Sequence, residues 1–387
     1  MGCKAVWGGR RRGCPHPQTT TVCLTGGSMK SGMLRRLEGL RSISLGQVFS
    51  WTLPIWAVLV AFLVGSVIIA GAGANPIQAY VALFRGAVGN RGLVATTLVK
   101  SIPLMLAGLS VVLAFRASVF NIGGEGQIYM GALFAVLGGT ALHLPAGVHL
   151  VVVLALGMVG GFLWSAIPGY LKAARGFNEV IVTIFMNYIA IALISYLVHG
   201  PMRESGWNYQ TRTVDETARL PIILPNTSLH LGLVLALVAA VAVYLLLFHT
   251  TLGYRLRMVG HNAEAARYAG VKVTRITVLA MALSGALAGL AGAVELTGVQ
   301  FRLLEGFSPG WGFDAIAVAL VGQLHPAGVL LAALFFGGLR TGANSMQTAV
   351  GLPVVVVQVI QGLTVLFMMV GTAVQHYGLW RPVRREE

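Results

Sequence analysis

Seven long stretches of this chain contain no charged residue at all. Windows 42–84, 126–171, 180–202, 220–254, 276–294, 315–339 and 341–380 hold no Asp, Glu, Lys or Arg. A helix that crosses a bilayer needs about 20 mostly apolar residues, and each window is long enough or nearly so. Composition removes the soluble alternative. Charged residues make up 10% of the chain, where soluble domains carry about 25%. With 56% hydrophobic residues and a mean hydropathy of +0.79, there is too little charge to coat a water-facing exterior. Lipid can serve as the apolar solvent instead.

The window 126–171 is too long for one span, and His143-Leu-Pro-Ala-Gly147 divides it, because Pro and Gly end helices. Segment 96–115 is apolar apart from Lys100, which sits one turn from its start and can extend to the interface. The pattern predicts an all-α, polytopic transmembrane helix bundle of about ten spans. They fall near 52–72, 95–115, 126–142, 149–171, 179–199, 229–248, 275–297, 313–323, 327–341 and 353–372. The eighth and ninth are short, and His325-Pro326 separates them, so a broken or re-entrant pair is expected there.

The net charge is +15. On a soluble domain that would suggest nucleic acid. Here the basic residues occupy tails and short loops, where they mark the cytoplasmic side. With both termini inside, 19 of the 27 Lys and Arg face the cytoplasm, seven face outward, and Lys100 lies within a span. The expected partner is the bilayer of the cell membrane and not nucleic acid. The domain expectation is a cytoplasmic tail over 1–44, a transmembrane domain over 45–375, and a cytoplasmic tail over 376–387. Residues 1–28 are polar, and no apolar run follows Arg10, Arg11 and Arg12, so they do not read as a secretory signal. Val6 does not fit a myristoylation site. A disordered leader, or a start assigned too early with Met29 or Met33 as the natural beginning, is expected. Cys3, Cys14 and Cys23 all lie in this leader, which leaves no thiol for a disulfide framework or a thiolate metal site in the membrane body.

No Gly-Lys pair occurs, so a phosphate-cradling Walker loop is ruled out. There is no His-Glu-x-x-His helix and no Gly-x-Ser-x-Gly elbow. The nine histidines are scattered, mostly at span ends. The expectation is a non-enzymatic chain with no metal site and no cofactor of its own.

Small residues recur four apart in Gly157 with Gly161, Gly285 with Gly289, and Gly338 with Gly342. Such spacing brings helix backbones together; a gating hinge is the alternative. Gly176-Phe-Asn-Glu-Val-Ile-Val-Thr-Ile-Phe-Met-Asn187 is similar to Gly312-Phe-Asp-Ala-Ile-Ala-Val-Ala-Leu-Val-Gly-Gln323, and on the expected topology the two run in opposite directions. Inverted repeats of this sort occur in transporters.

The longest cytoplasmic loop follows the sixth span. Within it, Asn262 is a good N-cap, Glu264 lies in the first turn, and Gly270 is a natural terminator. The product is a helix of about two turns, too short to stand alone. It must pack on the bundle's own face or serve as a knob for a cytoplasmic partner. Polar residues also collect at span starts: Asn121, Glu125 and Gln127 at the third, Asn178 and Glu179 at the fifth, and Asp314 at the eighth. Thr183 and Asn187 follow Glu179 at four-residue steps and share its helix face. Gln323 ends the eighth. Such residues either tie helices together or line a water-filled path.

These motifs resemble one family. Phe120-Asn-Ile-Gly-Gly-Glu-Gly-Gln127 is similar to a segment of the branched-chain amino acid, ribose and nucleoside permeases of ATP-binding-cassette (ABC) importers. Gly176-Phe-Asn-Glu-Val-Ile181 with Asn187-Tyr188, and Ser308-Pro-Gly-Trp-Gly-Phe-Asp-Ala-Ile-Ala-Val-Ala-Leu-Val-Gly322, resemble its later motifs. The loop helix resembles that family's coupling helix, and the matching positions are Gly260, Asn262, Glu264, Ala265, Ala266, Arg267 and Gly270. The resemblance covers about residues 45–375, with the motifs in order, and departs after Gly322, where Gln323-Leu-His325-Pro326 stands. It implies two ATPase subunits docked on the inner face, a second permease subunit identical or similar to this one, and a substrate-binding protein outside. It implies a path for a small polar solute, with Asn121, Glu125, Gln127, Asn178, Glu179, Thr183, Asn187, Asp314 and Gln323 as candidates to line it.

The resemblance is closest to the nucleoside-type branch, around Phe120–Gln127 and Asn178–Asn187, and so implies nucleosides first as cargo, pentose-like sugars next and branched-chain amino acids last. Neutral amides and hydroxyls suit an uncharged, hydroxyl-bearing solute, whereas a zwitterion would want a charged partner. The competing class is an ion-coupled secondary transporter, which needs no docking helix and usually carries a deep carboxylate relay. Here Glu179, Glu295 and Asp314 lie near span ends.

Overall fold

The computed structural model describes residues 45–205 and 209–376. The expectations for the leader and for most of the C-terminal tail lie outside the described residues. The chain divides into two compact units, Met1–Phe49 and Ser50–Glu387, and the contacts below all belong to the second.

The described residues form thirteen α-helices. They are α1 (Leu45–Gly71), α2 (Pro76–Val88), α3 (Arg91–Phe115), α4 (Gly124–Ala141), α5 (Val148–Arg175) and α6 (Glu179–His199), followed by α7 (Gly232–His249), α8 (Thr251–His261), α9 (Ala263–Tyr268), α10 (Val273–Glu295), α11 (Trp311–Val321), α12 (Pro326–Val350) and α13 (Val355–His376). Seven are long and apolar enough to cross a bilayer, and α11 and the stretch Val355–Gly371 of α13 are shorter apolar helices. A polytopic helical bundle is what the sequence predicted.

Local chemistry sets the boundaries. Asn75, Asn90, Asn178 and Asn262 each cap a helix by accepting a first-turn N–H, as short polar side chains do at N-caps. Gly176 (φ +70°) and Gly351 (φ +73°) end α5 and α12 in the left-handed conformation, which glycine adopts without a Cβ clash.

Burial separates centre from periphery. In the most apolar window of α3, 83% of residues are buried, and in that of α10, 78%, against 22% for α6. Outer helices carry apolar side chains facing outward, among them Leu63, Val67, Phe185, Tyr188 and Val241. Only a lipid or protein neighbour makes such a surface stable.

The expected small-residue pairs locate the tightest crossing. A Cβ on Gly161 would lie 2.1 Å from the Gly285 carbonyl oxygen, and one on Gly289 would lie 2.3 Å from that of Gly157. Gly131 of α4 closes on the same point, with its Cβ position 2.2 Å from the Gly289 oxygen. Three helix backbones therefore touch. The third pair behaves differently. Gly342 packs on the Leu83 backbone, with 2.2 Å to its oxygen, but Gly338 has 3.7 Å of clearance.

Two features depart from expectation. The spacing of the spans leaves α2 in a loop. Here Asn75 caps it, Pro76 opens it, and it packs along α12 through Leu83, Gly86 and Ala87. The ninth span is 25 residues and not short. The break at His325-Pro326 falls between α11 and α12 as expected, and α11 is short, with 11 residues. An irregular segment, 301–310, with Leu303 and Phe307 fully buried, leads into it.

Candidate functional site

The segment Asn121–Gln127 lies deep in the bundle. After α3, the chain turns at Ser118 (φ +56°), and the Asn121 Oδ1 accepts the Gly123 N–H at 2.9 Å. The Asn121 and Gln127 side-chain amides then pair reciprocally at 3.0 Å in each direction. Asn121 also donates to Ser284 Oγ at 2.8 Å, and Gln127 donates to Ser165 Oγ at 3.1 Å. Ser284 donates to the Ser110 carbonyl at 2.8 Å, and Ser165 to the Met281 carbonyl at 2.6 Å. One polar layer thus joins α3, α4, α5 and α10. Ser165 is ten residues from the end of α5, which places the layer about 15 Å in from that end at 1.5 Å per residue. Asn121, Glu125 and Gln127 stand at the start of the third span as expected, and that start is buried within the bundle.

Glycine makes this approach possible. A Cβ on Gly126 would sit 2.9 Å from Asn187 Cα, and one on Gly312 would sit 2.1 Å from the Glu125 nitrogen. Across these contacts the Asn187 Oδ1 accepts the Gly126 N–H at 2.8 Å, and its Nδ2 donates to the Ile122 carbonyl at 3.0 Å. The Glu125 Oε2 accepts the Gly312 N–H at 2.7 Å. Gly312 is in the first turn of α11, so a carboxylate meets the positive end of a half-length helix inside the bundle.

Glu179, Thr183 and Asn187 do share one face. All three are buried, while Ile181, Phe185 and Tyr188 between and beside them are exposed. Glu179 pairs with Lys172 and accepts the Phe120 N–H at 3.4 Å. Asp314 pairs with Arg340 at 2.6 Å. The two similar segments thus play matching local roles: each opens a helix, ion-pairs its first-turn acid, and meets the start of α4. Asn178 is an exposed cap and Gln323 an exposed turn residue at φ +53°, both away from the layer. Ser110, Ser165 and Ser284 belong to the layer and were not singled out in the sequence. Among the described residues no group of His, Cys, Asp or Glu is placed to hold a metal ion.

The loop helix forms as α9. Asn262 Oδ1 accepts the Glu264 and Ala265 N–H groups, both at 3.0 Å, and Gly270 follows at φ +79°. Ala266 is fully buried, whereas Glu264, Ala265, Arg267 and Tyr268 face outward, Tyr268 at 94% exposure. The sequence reading missed Tyr268, and it missed α8, which leads into the loop. Gly260 on α8 seats the loop on the end of α3: its Cβ position is 2.2 Å from the Arg116 carbonyl oxygen. Arg116 in turn donates through Nε to the Leu324 carbonyl at 3.0 Å. Its guanidinium and that of Arg257 lie 5.8 Å and 5.2 Å from the Phe248 ring. The loop therefore rests on the α3–α4 connection, which runs straight into the polar layer, and on the α11–α12 turn.

Residues 93–369 match the family described as branched-chain amino acid transport system / permease component. Three curated proteins are similar over most of their length. A guanosine ABC transporter permease protein of Bacillus subtilis is 39% identical over 328 residues, covering 83% of this chain and 94% of that one. A glucose ABC transporter permease protein of Haloferax volcanii is 36% identical over 335 residues, covering 84% and 88%. A nucleoside ABC transporter permease protein of Lactococcus lactis is 34% identical over 328 residues, covering 82% and 90%. No solved structure matches.

Proposed function

Because this chain belongs to the family of branched-chain amino acid transport system permease components and is the membrane-spanning permease subunit of an ABC transporter, we propose that it imports a nucleoside or a simple sugar. The three relatives are named for guanosine, glucose and nucleosides, and each of these solutes carries a neutral, hydroxyl-rich ring. The uncharged side chains of Asn178 and Gln323, which keep exposure, suit that chemistry.

The observation that carries the reading is α9. Six residues cannot hold a helix in water, yet this one forms with Ala266 tucked in and Glu264, Arg267 and Tyr268 presented outward. In our reading it is the knob that ATPase subunits grip, and hydrolysis takes place on those separate chains. Displacing the knob would push through Gly260 onto Arg116, and from there onto the start of α4 and the α11–α12 turn. The complex also includes a second permease, identical or similar, and an external substrate-binding protein. This chain needs no cofactor of its own, and both its ends lie in the cytoplasm of a cell whose plasma membrane it spans. Of the two roles open to the polar residues, the hydrogen bonding favours helix fixing for Asn121, Gln127 and Asn187, since each spends its amide within the subunit. Asn178, Asp314 and Gln323 keep exposure and are the better candidates to meet a solute.

The test is to reverse both charges of the knob, Glu264→Arg with Arg267→Glu, in the complete complex. We expect transport and substrate-stimulated ATP hydrolysis to fall at least tenfold while the protein still reaches the membrane. Normal transport in that variant would refute the docking role.

A further inference from the structure

Beside α9, on the side away from α3, a cleft of about 720 Å³ opens between α8, the link Ala269–Lys272 and the start of α10. Three cations line it, Arg255, Lys272 and Arg275, and no carboxylate does. None of the three has an ion pair or a side-chain hydrogen bond among the described residues. The N-terminus of α10 opens into the same space without a side-chain cap, so the positive end of a 23-residue helix adds to the field. Cations left together without a counter-ion repel one another unless an anion joins them.

The position of the cleft defines the anion. α7 ends at His249 and α10 begins at Val273, so Arg255 and Lys272 lie in the link between two apolar helices, at the level where lipid headgroups lie. Beyond the cations the cleft turns apolar. Leu279 follows Arg275 along α10 and lies about 6 Å further into the bilayer at 1.5 Å per residue, with Ile276 buried behind it. Leu279 is apolar yet 38% exposed, and Tyr254 beside it is 60% exposed. A cationic mouth at headgroup depth above an apolar wall at acyl depth matches one molecule end to end. We propose that this cleft binds an anionic phospholipid, its phosphate held by Arg255, Lys272 and Arg275 and an acyl chain laid along Leu279 and Tyr254. Clusters of Lys and Arg at the membrane surface attract anionic lipid in this way. A free phosphate would leave the apolar wall unused, and a docked ATPase would sit on the outward face of α9.

The purified full-length chain in detergent tests this by native mass spectrometry, titrated with phosphatidylglycerol and with phosphatidylcholine of the same acyl chains. We expect one phosphatidylglycerol to be retained in preference to phosphatidylcholine. The Arg255→Gln, Lys272→Gln, Arg275→Gln triple variant should weaken its retention at least about tenfold. The Arg85→Gln, Arg91→Gln pair, on residues outside the cleft, should not. A second measurement leaves the cations in place. In Tyr254→Trp, the added fluorescence should be quenched more strongly by brominated phosphatidylglycerol than by brominated phosphatidylcholine. Equal retention of the two lipids, unchanged selectivity in the triple variant, or equal quenching would overturn the proposal. So would displacement of the bound lipid by millimolar inorganic phosphate, which would make the cleft a free-anion site. Loss of ATPase co-purification in the triple variant with lipid selectivity intact would assign the cations to protein docking instead.

Discussion

Glu125 is the residue on which the polar layer and the half-length helix meet. Its side chain is 2% exposed, and its Oε2 accepts the Gly312 N–H. Glu125→Gln keeps a carbonyl oxygen at that place, whereas Glu125→Ala leaves a buried N–H with no acceptor, at a cost of about 1–3 kcal/mol. Thermal unfolding of the purified protein should therefore show Glu125→Ala several degrees below Glu125→Gln, and equal midpoints would show that the bond carries no stability. The sequence made Glu125, Asn121, Gln127 and Asn187 visible because polar residues in an apolar chain stand out. It could not say whether they met each other or a solute. Their serine partners on α3, α5 and α10 were hidden, since a serine in an apolar run satisfies itself on its own helix unless a neighbour crosses it there. Only the crossing pattern brings Ser165 and Ser284 to the amides and Ser110 to Ser284.

Among elements, the crossing of α4, α5 and α10 sets the core. Gly289 has α5 backbone, at Gly157 and Gly161, 2.3–3.0 Å from its Cβ position, whereas Gly338 has only ordinary contacts at 3.7 Å and beyond. Gly289→Ala must force α5 off α10, and overpacking of this kind costs about 1–3 kcal/mol. Gly338→Ala adds a methyl group into ordinary contact distance. The first variant should unfold at a clearly lower temperature in detergent and the second within error of the parent; matching midpoints would contradict the packing. The glycine spacing announced this crossing, and lack of charge announced the spans, because both are local properties. Two elements escaped for physical reasons. α2 shares the apolar window that also holds α1, and without the Asn75 cap in view its 13 residues read as loop. The chain entering α11, with Arg302 and Glu305, reads as an outer loop, although its irregular backbone at 301–310 tucks Leu303, Phe307 and Ser308 into the bundle. That arrangement needs partners from other elements, such as the Tyr129 hydroxyl, which accepts the Ser308 N–H at 3.2 Å.

On the scale of the whole molecule, one end of the bundle gathers the machinery: α9, the α3–α4 connection, the Lys172–Glu179 pair and the α11–α12 turn. The proposed orientation makes that end cytoplasmic. With Cys3, Cys14 and Cys23 replaced by Ser, a single cysteine at Ser205 should react with a membrane-impermeant thiol reagent on intact cells, and one at Asn262 only after the membrane is opened. Both positions are exposed in the structure, so a reversed pattern would invert the topology and separate α9 from any cytoplasmic ATPase. The central claim is import of a nucleoside or sugar, and uptake tests it most directly. Proteoliposomes carrying this chain with its second permease, ATPase and binding protein should take up labelled guanosine saturably, only with ATP inside the ATPase compartment. Excess nucleoside should compete and excess leucine should not. Saturable, ATP-driven uptake of labelled leucine that neither nucleoside nor ribose competes would contradict the account.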